Sequence, residues 1–320
     1  MIISSDFQAP WWLSNSHLQT IWGARFRTRP KTLLLWERLE LPDGDFLDLT
    51  WSGQGKSPIV VILHGLEGSY RSRYASGILA AIAHQGWRGV LMHFRGCSGE
   101  PNRLNRGYHS GDTADFQTVL NILQEREPNT PLAAIGYSLG GNVLLKWLGT
   151  QIKQNYLKSA VGISVPFDLQ QAAQQLAQKD SKIYQISLIR VLKHSMHRKF
   201  SNKNCPFNLK ALRKVQTFEE FDNLVTAPLH GFRDAYDYWQ QSSCKQFLAK
   251  IKTPTLILHS KDDPFLPQTA IPSEADLSDS VQLELSQQGG HVGFVSGSFP
   301  WNMEYWLDQR IIRFLQTYLG

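Results

Sequence analysis

Pro131-Leu132-Ala133-Ala134-Ile135-Gly136-Tyr137-Ser138-Leu139-Gly140-Gly141-Asn142-Val143-Leu144-Leu145-Lys146-Trp147-Leu148 is the stretch whose reading decides the fold. Pro131 to Ile135 is a short apolar run of the kind found in a buried strand, and Asn142 to Leu148 opens a helix. Between them Gly136 to Gly140 has the form G-x-S-x-G, which carries weight only in such a strand-turn-helix setting. The turn lifts Ser138 above the end of a sheet. Side chains on either side of the serine would collide with the neighbouring strand and helix, so glycine is favoured there.

Outward from this turn the chain alternates. Leu33 to Leu39 and Phe46 to Trp51 read as strands joined by Pro42-Asp43-Gly44-Asp45, a hairpin signal. Ile59 to Leu63 is a continuous apolar run ending in His64-Gly65, followed by a helix near 73 to 85, a strand at 89 to 94 and a helix near 112 to 126. Leu157 to Val165, Thr255 to His259 and Val281 to Leu285 add strands, and Trp306 to Tyr318 closes as a helix. Strands separated by helices imply a mostly parallel, doubly wound α/β sheet. From about 167 to 248 helical patterns recur at Gln170 to Lys179, Ile183 to His197 and Ala235 to Gln240, which predicts a helical cap inserted over the carboxyl edge. Residues 1 to 30 read as an ordered arm, so the expected organisation is one domain, 1 to 320, with arm and cap.

The chain has 320 residues, with 42% hydrophobic and 19% charged content, a composition that suits a folded protein with a substantial core. Its net charge is +6, carried by basic residues that read as scattered. This predicts a mild preference for anionic surfaces such as lipid headgroups, not nucleic-acid binding. Cys97, Cys205 and Cys244 show no C-x-x-C spacing, which fits a reducing compartment. With no secretion signal and no apolar run long enough to span a bilayer, a cytoplasmic location is expected.

A serine hydroxyl is a weak nucleophile until a base takes its proton and an acid holds that base. On doubly wound sheets the chain order is serine, acid, histidine, the last two in loops after late strands. Asp262-Asp263-Pro264-Phe265-Leu266-Pro267 and Gly289-Gly290-His291-Val292-Gly293-Phe294 fill those slots. His291 is the candidate base among ten histidines. Asp263 is the candidate acid from its spacing to Pro267, with Asp262 as the alternative. For the oxyanion, the backbone N–H of Leu139 starts a helix and that of Leu66 lies in His64-Gly65-Leu66-Glu67-Gly68.

Other features carry less. Gly55-Lys56-Ser57 imitates the end of a phosphate loop but precedes its strand. No H-E-x-x-H or clustered histidines suggest a metal, so neither metal nor cofactor is expected. Cys97 reads as a small residue packed in a turn. The stretch Ile183 to Lys199 is a basic amphipathic helix with two readings, contact with lipid or an apolar stripe packed on the core, of which packing is preferred.

The chain resembles the AB hydrolase 4 family of the α/β-hydrolase superfamily, in its YheT-like branch, over nearly its whole length. The residues that carry the resemblance are Asn15 to Ile21, His64 to Gly68, Gly136 to Asn142, Gly231 to Tyr238, Lys261 to Pro267 and Gly290 to Phe294. Ser16 departs from a proline common in relatives. The resemblance implies an α/β-hydrolase fold, a Ser138, Asp263, His291 relay and cleavage of small-molecule or lipid esters. An alcohol acyltransferase of the same family and a non-catalytic binding protein are the alternatives; oligomeric state is not readable from the sequence.

Overall fold

The structure, a computed structural model, describes residues 1–151 and 156–320. Nine strands form one sheet: β1 (Ile2–Ser4), β2 (Leu35–Glu40), β3 (Phe46–Ser52), β4 (Ile59–Leu63), β5 (Arg88–Met92), β6 (Leu132–Tyr137), β7 (Leu157–Ile163), β8 (Thr255–Ser260) and β9 (Val281–Ser286). Their order is β1-β9-β8-β7-β6-β4-β5-β3-β2. The β2–β3 and β3–β5 pairs are antiparallel and every other pair is parallel. This is the mostly parallel, doubly wound α/β sheet expected from the alternation.

Helices α1 (Ser16–Phe26), α2 (Arg73–His84), α3 (Ala114–Arg126) and α4 (Leu139–Thr150) come first. Next follow α5 (Leu169–Ala177), α6 (Lys182–Lys199), α7 (Leu209–Leu212), α8 (Phe218–Phe221), α9 (Ala227–His230) and α10 (Ala235–Ser242). A short β10–β11 ribbon (Val295–Ser296, Glu304–Tyr305) precedes the last helix, α11 (Trp306–Leu319).

Burial on both faces explains the unbroken apolar strands. Along β4, Val61 and Leu63 join one core with α3 and α4, while Val60 and Ile62 join another with α2 and α11. After β4 the chain steps to β5 on one side and returns to β6 on the other. Such a switch point opens a crevice at the carboxyl ends of the two strands. There β4 delivers His64 and β6 delivers Ser138.

Two parts of the sequence reading change. The arm is more than a wrap: β1 adds a parallel edge strand beside β9, pairing Ile3 with Glu284, and α1 is a full helix capped by Asn15, whose side chain accepts from the His17 and Leu18 N–H groups. The packed apolar stripe proposed for the helix from Ile183 is also corrected. Ile189 and Leu192 are buried, but Ile183 and Ile186 point outward at 66% and 57% exposure. The inner face of α6 is instead shared with Gln185 and Lys199, both buried, so hydrophobicity alone misassigns it.

Candidate functional site

Ser138 sits between β6 and α4 with φ 51° and ψ −118°, a left-handed, strained conformation for a residue with a Cβ. Its N–H extends the sheet to the Ile163 carbonyl (2.8 Å), and its carbonyl accepts the Asn142 N–H as α4 begins (3.1 Å). The flanking glycines are required by contact. A Cβ on Gly140 would stand 2.4 Å from the Leu63 carbonyl oxygen, and one on Gly136 would stand 2.5 Å from the Gly140 oxygen.

The loops after β8 and β9 bring the two partners. Asp263 Oδ2 lies 2.8 Å from His291 Nδ1, and His291 Nε2 lies 2.9 Å from Ser138 Oγ. Asp263 is 4% exposed, and its other oxygen accepts the Phe265 N–H at 2.8 Å. The neighbouring Asp262 turns the other way and accepts the Gly290 N–H (2.9 Å), so it braces the histidine loop from outside. Ser260 Oγ donates to the Gly290 carbonyl, and Ser164 Oγ accepts the Val292 N–H.

The arm and one ring complete the support of His291. Thr20 Oγ1 accepts the His291 N–H at 2.9 Å. Gln19, fully buried, accepts the Val295 N–H and donates to the Val295 and Leu13 carbonyls. Phe265 lies flat on the imidazole, and Tyr184 of α6 packs on Phe265 with ring centroids 4.9 Å apart. His17 Nδ1 meets the Tyr184 hydroxyl at 3.0 Å.

Opposite the elbow, the His64 to Gly68 loop is fixed by its own side chains. Burial pushes His64 down to about 3, so the ring is neutral. Its Nε2 accepts the Phe94 N–H (3.1 Å), which puts the proton on Nδ1, facing the Gly65 carbonyl at 2.7 Å. The Gly65 N–H donates to the Tyr74 hydroxyl and the Glu67 N–H to the Tyr108 hydroxyl. The Leu66 N–H lies between these two. A Cβ on Gly65 would stand 3.4 Å from Ser138 Cβ, so this loop and the serine are in close approach. Glu67, whose carboxyl burial pushes up, accepts from Tyr108 and from Ser195 of α6, tying the loop to the cap.

The profile of the alpha/beta hydrolase fold matches residues 58–298. The YheT protein of Escherichia coli (strain K12) is 44% identical over 99% of this chain and 94% of its own length. The chain belongs to the AB hydrolase 4 family. Phospholipase ABHD3 of Bos taurus is 28% identical over 99% of this chain and 79% of its own, and monoacylglycerol lipase of Saccharomyces cerevisiae (strain ATCC 204508 / S288c) is 28% identical over 82% and 59%. Among solved structures, the Pyrococcus furiosus esterase Pf2001 matches with a TM-score of 0.59 at 16% identity, covering 90% of this chain and 94% of that one, a likeness of fold.

In this AB hydrolase 4 chain a cavity of about 540 Å³ opens above Ser138, within the range of small-molecule sites. Ser138, His291, Leu66 and Leu139 line its floor, and Leu169, Leu176, Leu188 and Val225 line the cap side. Other sequence candidates lie elsewhere. Lys56 sits in the link between β3 and β4, away from the cavity. Cys97 is half-buried against the core, with burial pushing its thiol well up. Among the described residues no group of three or more His, Cys, Asp or Glu could hold a metal ion.

The sequence reading assigned no individual role to Thr20, Gln19, Phe265, Tyr74 or Tyr108. The signal for the first two was present, since they fall in the Asn15 to Ile21 stretch that marks the AB hydrolase 4 family. Asn142, in the elbow stretch, also acts at a distance: it donates to the Ser110 and Ser242 carbonyls and accepts the Cys244 N–H, holding the end of the cap against α4.

Proposed function

We propose that the protein hydrolyses carboxylic esters through an acyl-enzyme on Ser138. The observation that carries this reading is the continuous line Asp263, His291, Ser138, at 2.8 and 2.9 Å, on the floor of a cavity with an apolar cap side. His291 Nε2 takes the Ser138 proton as Oγ attacks the ester carbonyl, and Asp263 holds the Nδ1 proton and stabilises the imidazolium. The N–H groups of Leu66 and Leu139 receive the oxyanion, the latter with the favourable end of the α4 dipole. His291 then protonates the departing alkoxide, and water entering on the same imidazole releases the acid. Relatives named phospholipase and monoacylglycerol lipase support a lipid-like ester as substrate.

Turnover of p-nitrophenyl esters of increasing acyl length tests the reading. Wild type is expected to turn over the butyrate ester, and Ser138→Ala to lose at least about a thousandfold in kcat. Wild-type inactivity across the series, or an active Ser138→Ala, overturns it. Added ethanol separates hydrolysis from acyl transfer, because a transferase would yield ethyl ester in preference to free acid.

A further inference from the structure

The segment from Lys182 to Lys214 contains nine of the chain's 33 Lys and Arg residues and none of its 27 Asp and Glu residues. Outside it the chain therefore carries a small net negative charge, so the basic residues are not scattered: the positive character of the protein belongs to the cap. Within this segment α6 turns Tyr184, Leu188, Leu192 and Ser195 toward the cavity. Successive residues are about 100° apart on a helix, so Ile183, Ile186 and Arg190 share the opposite face, with Lys193 at its edge.

Beside it stands α1, joined to α6 through His17 and Tyr184. Leu18, Ile21 and Arg25 share one exposed side of α1. Ile21 and Arg25, both exposed, also line the cavity, so part of its solvent-facing rim lies at this junction. Leu18 and Ile21 are 50% and 39% exposed. Large aliphatic side chains held in water, interleaved with cations and gathered at the rim of an apolar cavity, fit one environment.

We infer that the outer faces of α6 and α1 dock the protein onto an anionic phospholipid surface, with Ile183 and Ile186 entering the headgroup layer. Lys182, Arg190 and Arg25 supply the charge complementarity. Asp180 is the one carboxylate between residues 169 and 214. In this orientation that rim of the cavity faces the lipid, so an ester leaves the membrane without crossing water. That consequence rests on the esterase reading; the docking itself does not.

Co-sedimentation of the full chain with phosphatidylcholine vesicles, with and without about a third phosphatidylglycerol, tests the inference. Wild type is expected to pellet with the anionic vesicles alone and to be released by salt. Ile183→Ser/Ile186→Ser is expected to lower the partition coefficient at least tenfold, and Lys182→Glu/Arg190→Glu by roughly tenfold or more. Both variants should turn over p-nitrophenyl butyrate as wild type does, which reports that they are folded. Wild type left in the supernatant overturns the inference, as does isoleucine-independent pelleting, which would indicate a surface for a soluble polyanion. Loss of butyrate turnover with vesicle binding intact counts against the esterase reading alone.

Discussion

Phe265 lies face to face with His291, ring centroids 3.9 Å apart and planes within 3°. The same residue's N–H holds Asp263, so one position orients both the Asp263 carboxylate and the His291 ring.

Phe265→Ala is expected to lower kcat for p-nitrophenyl butyrate about fivefold to tenfold with KM little changed, matching the roughly 1–1.4 kcal/mol of an aromatic pair. Phe265→Tyr keeps the stacked ring and should stay within about threefold of wild type. Equal loss in both variants would mean that the ring merely fills space.

Thr20 reaches His291 from the arm. Thr20→Val removes the acceptor and leaves the His291 N–H facing a methyl group, at a cost of about 1–2 kcal/mol. Steady-state kinetics should show kcat/KM falling about tenfold, and Thr20→Ser should restore it. If the serine variant remains as impaired as the valine variant, the hydroxyl is not the group that matters.

The Tyr108 hydroxyl accepts the Glu67 N–H at 2.8 Å and donates to the Glu67 carboxylate at 2.9 Å. Glu67 has φ 53°, a conformation that needs such support. Tyr108→Phe is expected to loosen the Leu66 N–H and lower kcat about tenfold, since loss of a whole oxyanion donor costs about a hundredfold or more. A change confined to KM would place Tyr108 in substrate binding instead.

Lys199 predicts a pH dependence of stability. Burial lowers it from 10.5 to about 7, although its ammonium donates to Asn102 and to the Arg106 carbonyl. Its contribution is full above the unfolded value and is lost as pH falls through the folded one. The folded state releases this proton first, so between pH 7 and about 10.5 stability from this group rises with pH. The wild-type Tm minus that of Lys199→Met should therefore become more positive from pH 7 to pH 10. A constant difference across that range contradicts the assignment.

Local signals wrote much of this architecture into the sequence. Apolar runs such as Ile59 to Leu63, short and rich in β-branched residues, read as strands covered on both faces, and Gly136 beside Ser138 follows from a contact four residues away. What periodicity could not reveal spans the chain. The register of Ile3 beside Glu284, the reach of Thr20 to His291 and the bond from Asn142 to Ser242 join segments 100 or more positions apart. For α6, Gln185 and Lys199 are buried while Ile183 and Ile186 face water, which hydrophobicity alone does not assign.

Labelling with a fluorophosphonate, read by intact mass and peptide mapping, tests the central claim most directly. The account predicts one adduct per wild-type chain, on the peptide carrying Ser138, and none on Ser138→Ala. An adduct on another residue, or a labelled Ser138→Ala protein, would contradict it.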